Sequence, residues 1–483
     1  MATAAAEAIN RRPVRPTLST ADLDELLARL PTLDVGVPDA ERIDQIGLLE
    51  SIKSAAAGAQ ARVSAAFAAS QRASQAASGV PARERGRGVA AQIALARKES
   101  PARGSRHLGF AEAMVGEMPH TMGHLEAGAV SEWRATIVCR ETACLSREDR
   151  VAVDAALARD LPFLGDRQVE ARAKALACQL DAAAMAKRAA KAHSDRRVSL
   201  RPAPDTMTHL TALRPVAEGV AVFAALERAA GSARAQGDER GRGQVMADTL
   251  VERVTGQPTA AAVPIEIQLV MTAAALADTA PRDGSGGDAS DEPALLAGHV
   301  LPAQTARDLL SNSRREGARL SLRRVLSTDD GADLADVEGR SRAISPIVTA
   351  FESGAEFARK GRRFSGALRR FVLLRDQTCR TPWCDAPIRH VDHAIASRSD
   401  GPTTAANGQG LCEACNYAKE AVGWRARTVR AGPGHTVRTT TPTGHTYDST
   451  APPLLPGRVR ARALVRPVIS ALESRYEALL LSA

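Results

Sequence analysis

Apolar positions recur at helical spacing along most of the first 255 residues. Thr20-Ala21-Asp22-Leu23-Asp24-Glu25-Leu26-Leu27 combines a capping hydroxyl, early acids and an apolar stripe, which predicts a helix start. The same period, carried largely by alanine, predicts helices over Asp39 to Ser70, Val89 to Arg97, Leu108 to Glu117, Ser131 to Thr142, Arg147 to Arg159 and Gln168 to His193. Two stretches alternate instead. Arg197 to Leu213 and Val263 to Thr272 carry β-branched residues at period two and read as strands of a small sheet, with helices between them over Val216 to Ala235 and Gly243 to Thr255.

The pattern stops at Pro281 to Glu292 (PRDGSGGDASDE), where apolar surface is too sparse to offset the entropy of ordering. Beyond it, the periodicity predicts a helix at Pro302 to Ser313, a strand at Leu320 to Leu326, and helices at Ile347 to Arg359 and Ser365 to Arg375. A hairpin at Thr436 to Asp448, turning at Pro442-Thr443-Gly444, and a final helix at Val465 to Leu481 complete the series. The fold class expected is mainly α with a small α+β portion. The segments expected are a disordered start (1–19), a mainly helical domain (20–280), a linker (281–295), a basic connecting region (296–375), a compact module (376–430) and a C-terminal hairpin and helix (431–483).

Composition adds little until its placement is considered. A chain of 483 residues predicts two or three domains, and 44% hydrophobic with 25% charged residues is ordinary for a globular protein. The net charge of +9 is unevenly held. Residues 357–466 contain 19 Lys and Arg against 7 Asp and Glu, while the remainder has 45 against 48. The basic character therefore sits in the C-terminal quarter and points to a polyanion as partner. With no apolar signal-peptide core near the N-terminus and no apolar run of spanning length, a cytoplasmic location without membrane association is expected.

Seven cysteines without an export signal direct attention to metal spacing rather than disulfides. Cys379-x4-Cys384 and Cys412-x2-Cys415 form two short pairs, a spacing that lets two knuckles present four thiolates to structural Zn²⁺. A closed four-thiolate site has no open coordination position, so catalysis must come from elsewhere. Between the pairs lie Val391-Asp392-His393, a turn at Ser399-Asp400-Gly401-Pro402, and Asn407; Asn416 follows Cys415 directly.

This segment resembles the HNH endonuclease motif in its variant with Asn at the last position, set in a four-Cys zinc site. The resemblance implies a strand hairpin and helix around a divalent ion, and hydrolysis of phosphodiester bonds in DNA. It assigns His393 as general base and Asp392 and Asn416 as ligands of catalytic Mg²⁺ or Mn²⁺. Asn407 would fix the hairpin loop, and Lys419 would offset charge on the phosphate. Such hydrolysis needs a proton acceptor, a hard cation on oxygen ligands and charge neutralisation, and these residue types supply them. His390 has three open readings: a support for the first ligands, a phosphate contact, or an alternative ligand. The phrases RPAPDTMTHLTALRPVAEGVAVFAALERAA, GRGQVMADTLVERVTGQ and VPIEIQLVMT also resemble the actinobacterial domain of unknown function 222, found in 13E12-repeat-type proteins, which implies architecture and no chemistry.

Blander readings accompany each feature. The four cysteines can be core thiols, His393 a structural histidine, and the two asparagines ordinary turn and helix-end residues. The alternative function is a non-catalytic, zinc-dependent DNA-binding protein. Arg359, Lys360, Arg362, Arg363, Arg369, Arg370 and Arg375 form either a solvated helix face or a phosphate track, which Arg425, Arg427 and Arg430 extend. Cys139-x4-Cys144, Cys178 and the His120/His124 pair lack partners that would complete a metal set, and packing is the reading favoured for them.

Overall fold

The computed structural model describes residues 17–203, 207–256, 269–270, 294–296, 299–308, 361–431 and 434–452. The fold is mainly helical, with small antiparallel sheets and a four-cysteine cluster in the C-terminal region. Nine helices are described before the first strand: α1 (Thr20–Arg29), α2 (Asp39–Ala77), α3 (Val89–Ala96), α4 (Pro101–Glu117), α5 (Pro119–Glu126), α6 (Glu132–Thr142), α7 (Arg147–Leu157), α8 (Asp166–Leu180) and α9 (Ala182–Ser194).

Local chemistry sets their ends. Ser19 and Asp22 form a reciprocal capping box at α1, with Ser19 N donating to Asp22 Oδ2 at 2.6 Å. The stretch expected as one helix over 168–193 is two, because Asp181 leaves the helical path and its carboxylate accepts from Ala184 N at 2.8 Å, capping α9. The helix over Leu108 to Glu117 starts earlier, at Pro101, a residue suited to the first turn. α5 was not foreseen. Its start is capped from α7: Asp154 accepts from His120 N, Thr121 N and the Thr121 hydroxyl.

The chain divides into two compact units. The first comprises Met1–Gln60, Met114–Ala143 and Arg147–Leu176, and its core is built from Met114, Met118, Leu125, Val138, Val153 and Leu157. The second comprises Ala61–Ala113, Cys144–Ser146 and Ala177–Ala483. In it, Val89 and Ile93 of α3 pack with Ala68 and Leu108.

The alternating stretch at 197–213 folds as an antiparallel hairpin of β1 (Arg197–Pro202) and β2 (Thr208–Leu213), followed by the packed helices α10 (Val216–Ala235) and α11 (Arg242–Thr255). Three short strands, β3 (Leu269–Val270), β4 (Ala294–Leu296) and β5 (His299–Leu301), pair antiparallel, and residues 303–308 are helical. The strand expected at 320–326, the helices at 347–359 and 465–481, and the linker at 281–292 lie outside the described residues.

The C-terminal region begins with α12 (Gly366–Asp376). β6 (His390–His393) then pairs antiparallel with β7 (Gly408–Leu411), and α13 (Glu413–Lys419) follows. β8 (Arg425–Arg430), β9 (Thr436–Thr440) and β10 (Thr446–Thr450) form a meander in the order β10-β9-β8. The foreseen hairpin is β9–β10. β8 was read only as basic sequence, yet its side chains alternate between exposed and half-buried as a strand with one covered face requires. Among the described residues, no helix is long and apolar enough to cross a membrane.

Candidate functional site

Two turns and a hairpin bring the cysteine pairs together. Cys379 N donates to Ala386 O at 2.9 Å and Cys384 N to Thr381 O at 3.1 Å, closing the first knuckle. Cys412 caps α13, its sulfur accepting from Cys415 N at 3.4 Å. The four sulfurs lie within 4.8 Å of one another, with Cys384 to Cys412 at 3.6 Å and Cys415 to Cys384 at 3.5 Å. Tetrahedral Zn²⁺ with Zn–S bonds near 2.3 Å demands sulfur separations of about 3.8 Å. The cluster can therefore hold a metal ion such as zinc.

The thiols also compete for protons. Hydrogen bonds from Cys379, Cys384 and Cys415 hold Cys412 far below an ordinary thiol, while Cys384 and Cys415 are pushed up as the proton-bearing members. A divalent cation removes that conflict by favouring every thiolate at once.

The hairpin carries Asp392 opposite Gln409 and His393 opposite Gly408. Gly408 is required by packing: a Cβ there would lie 2.8 Å from the Phe364 ring and 3.0 Å from Val372. Phe364 in turn packs on His393, ring centroids 4.7 Å apart. His393 is buried, 3% exposed, with Nε2 2.9 Å from the Thr403 hydroxyl and Nδ1 3.4 Å from Asp392 Oδ1, long for a direct hydrogen bond.

Asn407 clamps the loop between the strands. Its Oδ1 accepts from Ile395 N at 2.9 Å, and its Nδ2 donates to Ile395 O at 3.0 Å and Pro402 O at 2.9 Å. Lys419 Nζ has three oxygen partners: Asp392 Oδ2 at 2.8 Å, His393 O at 2.8 Å and Glu420 Oε1 at 3.0 Å. Burial of Asp392 pushes its pKa up, but the Lys419 ammonium outweighs burial and holds the carboxyl below its usual range. Asp392 is thus ionised at neutral pH.

Asn416 is half-buried on α13, and its Oδ1 is a buried oxygen without a hydrogen-bond partner. An unmatched amide oxygen is a donor type that a hard cation takes, as is the ionised carboxylate of Asp392. His390 stands elsewhere. It is three residues from His393 and so on the opposite side of β6, with its ring 6.3 Å from that of Tyr417.

The expected basic track is only partly a surface feature. Arg362, Arg363, Arg369 and Arg370 are exposed, as are Arg425, Arg427 and Arg430, while Arg359 and Lys360 lie outside the described residues. Arg375 turns inward, 12% exposed. It bonds Asp376 Oδ1 at 2.7 Å and donates to Ala405 O and Gly408 O, each at 2.7 Å. That removes it from the candidate phosphate contacts, because its fork is shared between the Asp376 carboxylate and the Ala405 and Gly408 carbonyls. Lys419, expected to offset charge on the phosphate, is 10% exposed and bonded to three oxygens within the protein.

Sequence reasoning missed Thr403, Phe364, Asp376, Arg380 and His435. Asp376 is fully buried and accepts from Arg380 Nη1 at 3.1 Å and Gly410 N at 2.7 Å. Arg380 Nη2 continues to His435 O at 3.0 Å and to Ser449 O, tying the first knuckle to the β9–β10 edge. Nothing distinguishes these charges in the sequence from those of any solvated helix end. Of the other reactive side chains, His124 Nε2 lies 2.6 Å from Ala158 O and Cys144 Sγ lies 3.3 Å from Met185 Sδ, whereas Cys178, expected to be packed, is exposed on α8.

No protein-family model matches the chain, and no solved structure matches it. The uncharacterised protein Rv3776 of Mycobacterium tuberculosis is 39% identical over 88 residues, 18% of this chain. The match spans 16% of that relative's length.

Proposed function

We propose that this chain is a metal-dependent DNA endonuclease of the HNH type, in which the four cysteines bind structural Zn²⁺ and a Mg²⁺ or Mn²⁺ ion is held by Asp392 and Asn416. The observation that carries this reading is the combination on one hairpin and helix of ionised Asp392, adjacent His393 and the unmatched Asn416 oxygen. A folded zinc knuckle needs none of the three.

Bound there, a divalent cation would supply Lewis-acid stabilisation of charge developing on the scissile phosphate. The chain's own groups supply the remainder. In the tautomer that donates Nε2–H to the Thr403 hydroxyl, the Nδ1 lone pair of His393 would take the proton of the attacking water. Asn407 holds the loop that carries Thr403, so it sets the base through that contact. Lys419 aims and ionises Asp392 and leaves Asp392 Oδ1 for the cation. The exposed arginines of α12 and β8 would contact phosphates without reading sequence.

The rival reading, a zinc-dependent DNA-binding protein without catalysis, draws on the burial of His393 and its packing against Phe364. Incubation of the full chain with supercoiled DNA across Mg²⁺, Mn²⁺ and Ca²⁺ separates the two. Cleavage with Mg²⁺ or Mn²⁺ supports the nuclease; DNA binding with no cleavage in any of them supports the rival.

A further inference from the structure

α3, with sequence VAAQIALA, has Gln92 as its one polar side chain and buries it along with Val89, Ala91, Ile93, Ala94 and Leu95, so the helix needs cover nearly all round. One side packs with α2 and α4, through Val89 and Ile93. The other faces the four-cysteine module, where Ala91, Ala94 and Leu95 line a cavity shared with Leu411, Cys415 and Ala418. The Thr443 hydroxyl donates to Gln92 Oε1 at 3.1 Å across the same contact.

The turn before α3 reaches α13 directly. Arg87 Nε donates to Tyr417 O at 3.3 Å. Gly88 has φ +83°, and a Cβ there would lie 2.5 Å from Trp424 Nε1 and 3.1 Å from the Ala421 Cβ. The turn is itself held from α2: Gly86 N donates to Gln75 Oε1 at 2.5 Å, and Gln75 Nε2 donates to Arg87 O at 3.3 Å. α13 has only seven residues, and the cysteines fix its first turn alone. Ala418 O is met locally by Ala421 N at 3.0 Å, whereas Tyr417 O takes its donor from Arg87, and a helix so short is marginal without outside contacts.

The geometry points to Arg87 and Gly88 as positioning residues: the turn before α3 clamps the C-terminal half of α13 and so sets where Asn416 and Lys419 stand. The clamp is a property of the fold, and only its consequence for the divalent ion rests on the nuclease reading. The cysteine cluster holds the first turn of α13, and the α3 turn, together with the Lys419 bonds to β6, holds the other end.

The test compares full-length wild type with Arg87→Ala, Arg87→Lys and Gly88→Ala. Amide hydrogen exchange over 413–424, zinc content and Mn²⁺ binding by electron paramagnetic resonance are measured together. Arg87→Ala is expected to speed exchange in α13 by roughly 3- to 10-fold, with zinc unchanged. It is also expected to weaken Mn²⁺ binding several-fold, with Arg87→Lys lying nearer wild type. Gly88→Ala should act in the same direction and more strongly; if it fails to fold, the Arg87 pair decides. Exchange in α13 unchanged in Arg87→Ala, or sped equally throughout the chain, overturns the clamp. Wild type that binds no Mn²⁺ and cuts no DNA, with α13 exchange still responding to Arg87→Ala, retains the clamp and removes the nuclease reading.

Discussion

At the scale of single residues, the C-terminal region depends on buried charges that no sequence pattern announces. Asp376 is fully buried between Arg375 and Arg380 and also accepts from Gly410 N. Removing one partner of such a cluster leaves uncompensated charge in a low-dielectric interior. Asp376→Ala is therefore expected to cost about 3–5 kcal/mol of unfolding free energy, measured by urea titration. His435 provides a second case. Burial and the Arg375 cation push its pKa down to about 4 from the ordinary 6.5, so the folded protein keeps it neutral while the unfolded chain takes up a proton. A depressed histidine pKa contributes stability above about pH 6.5 that is lost as pH falls toward 4. The full effect is on the order of 3 kcal/mol, and His435→Gln is expected to flatten the dependence of the unfolding midpoint on pH in that window. The cysteines, Asp392 and His393 were legible because their registration is itself the signal. Arg375 was not, since a helix-end arginine reads the same whether it faces solvent or turns back onto Asp376.

At the scale of elements, the hairpin β6–β7 and α13 bury few large apolar side chains and surround four sulfurs. A metal in that cluster contributes folding free energy outright, on the order of 10 kcal/mol for zinc in small knuckle domains. A strong zinc chelator is expected to release one Zn²⁺ per chain and to abolish exchange protection in 390–419. The α5–α7 core of the first unit, built on Leu125, Val138 and Val153, is expected to keep its protection. Hydrogen-exchange mass spectrometry before and after chelation checks both outcomes. Helices were the most readable elements, because alanine-rich periodicity persists over several turns. The break at Asp181 escaped notice because a single capping carboxylate interrupts an otherwise continuous pattern. β8 escaped because arginines at alternate positions look like a charge run until β9 pairs with it.

At the scale of the whole molecule, the exposed arginines at Arg362, Arg363, Arg369, Arg370, Arg425, Arg427 and Arg430 belong to the same C-terminal region as the four cysteines. Local pattern could not place residues 61–113 in one compact unit with that module, because the contact spans more than 300 positions of sequence. A local trace is the eight-residue helix α3, whose one polar side chain is Gln92. A truncated chain beginning near residue 302 would lose α3 and expose Leu411, Cys415 and Ala418, so activity is best measured on the full chain. Abstraction by His393 of the proton of the attacking water is the step on which the proposed activity turns. Its most direct test is nicking of supercoiled plasmid by full-length wild type and His393→Ala in Mg²⁺ or Mn²⁺, with zinc content and the thermal midpoint measured on both. Wild type is expected to nick, and His393→Ala to fall by about 10²-fold or more with zinc retained. Equal nicking by the two proteins would contradict that role for His393.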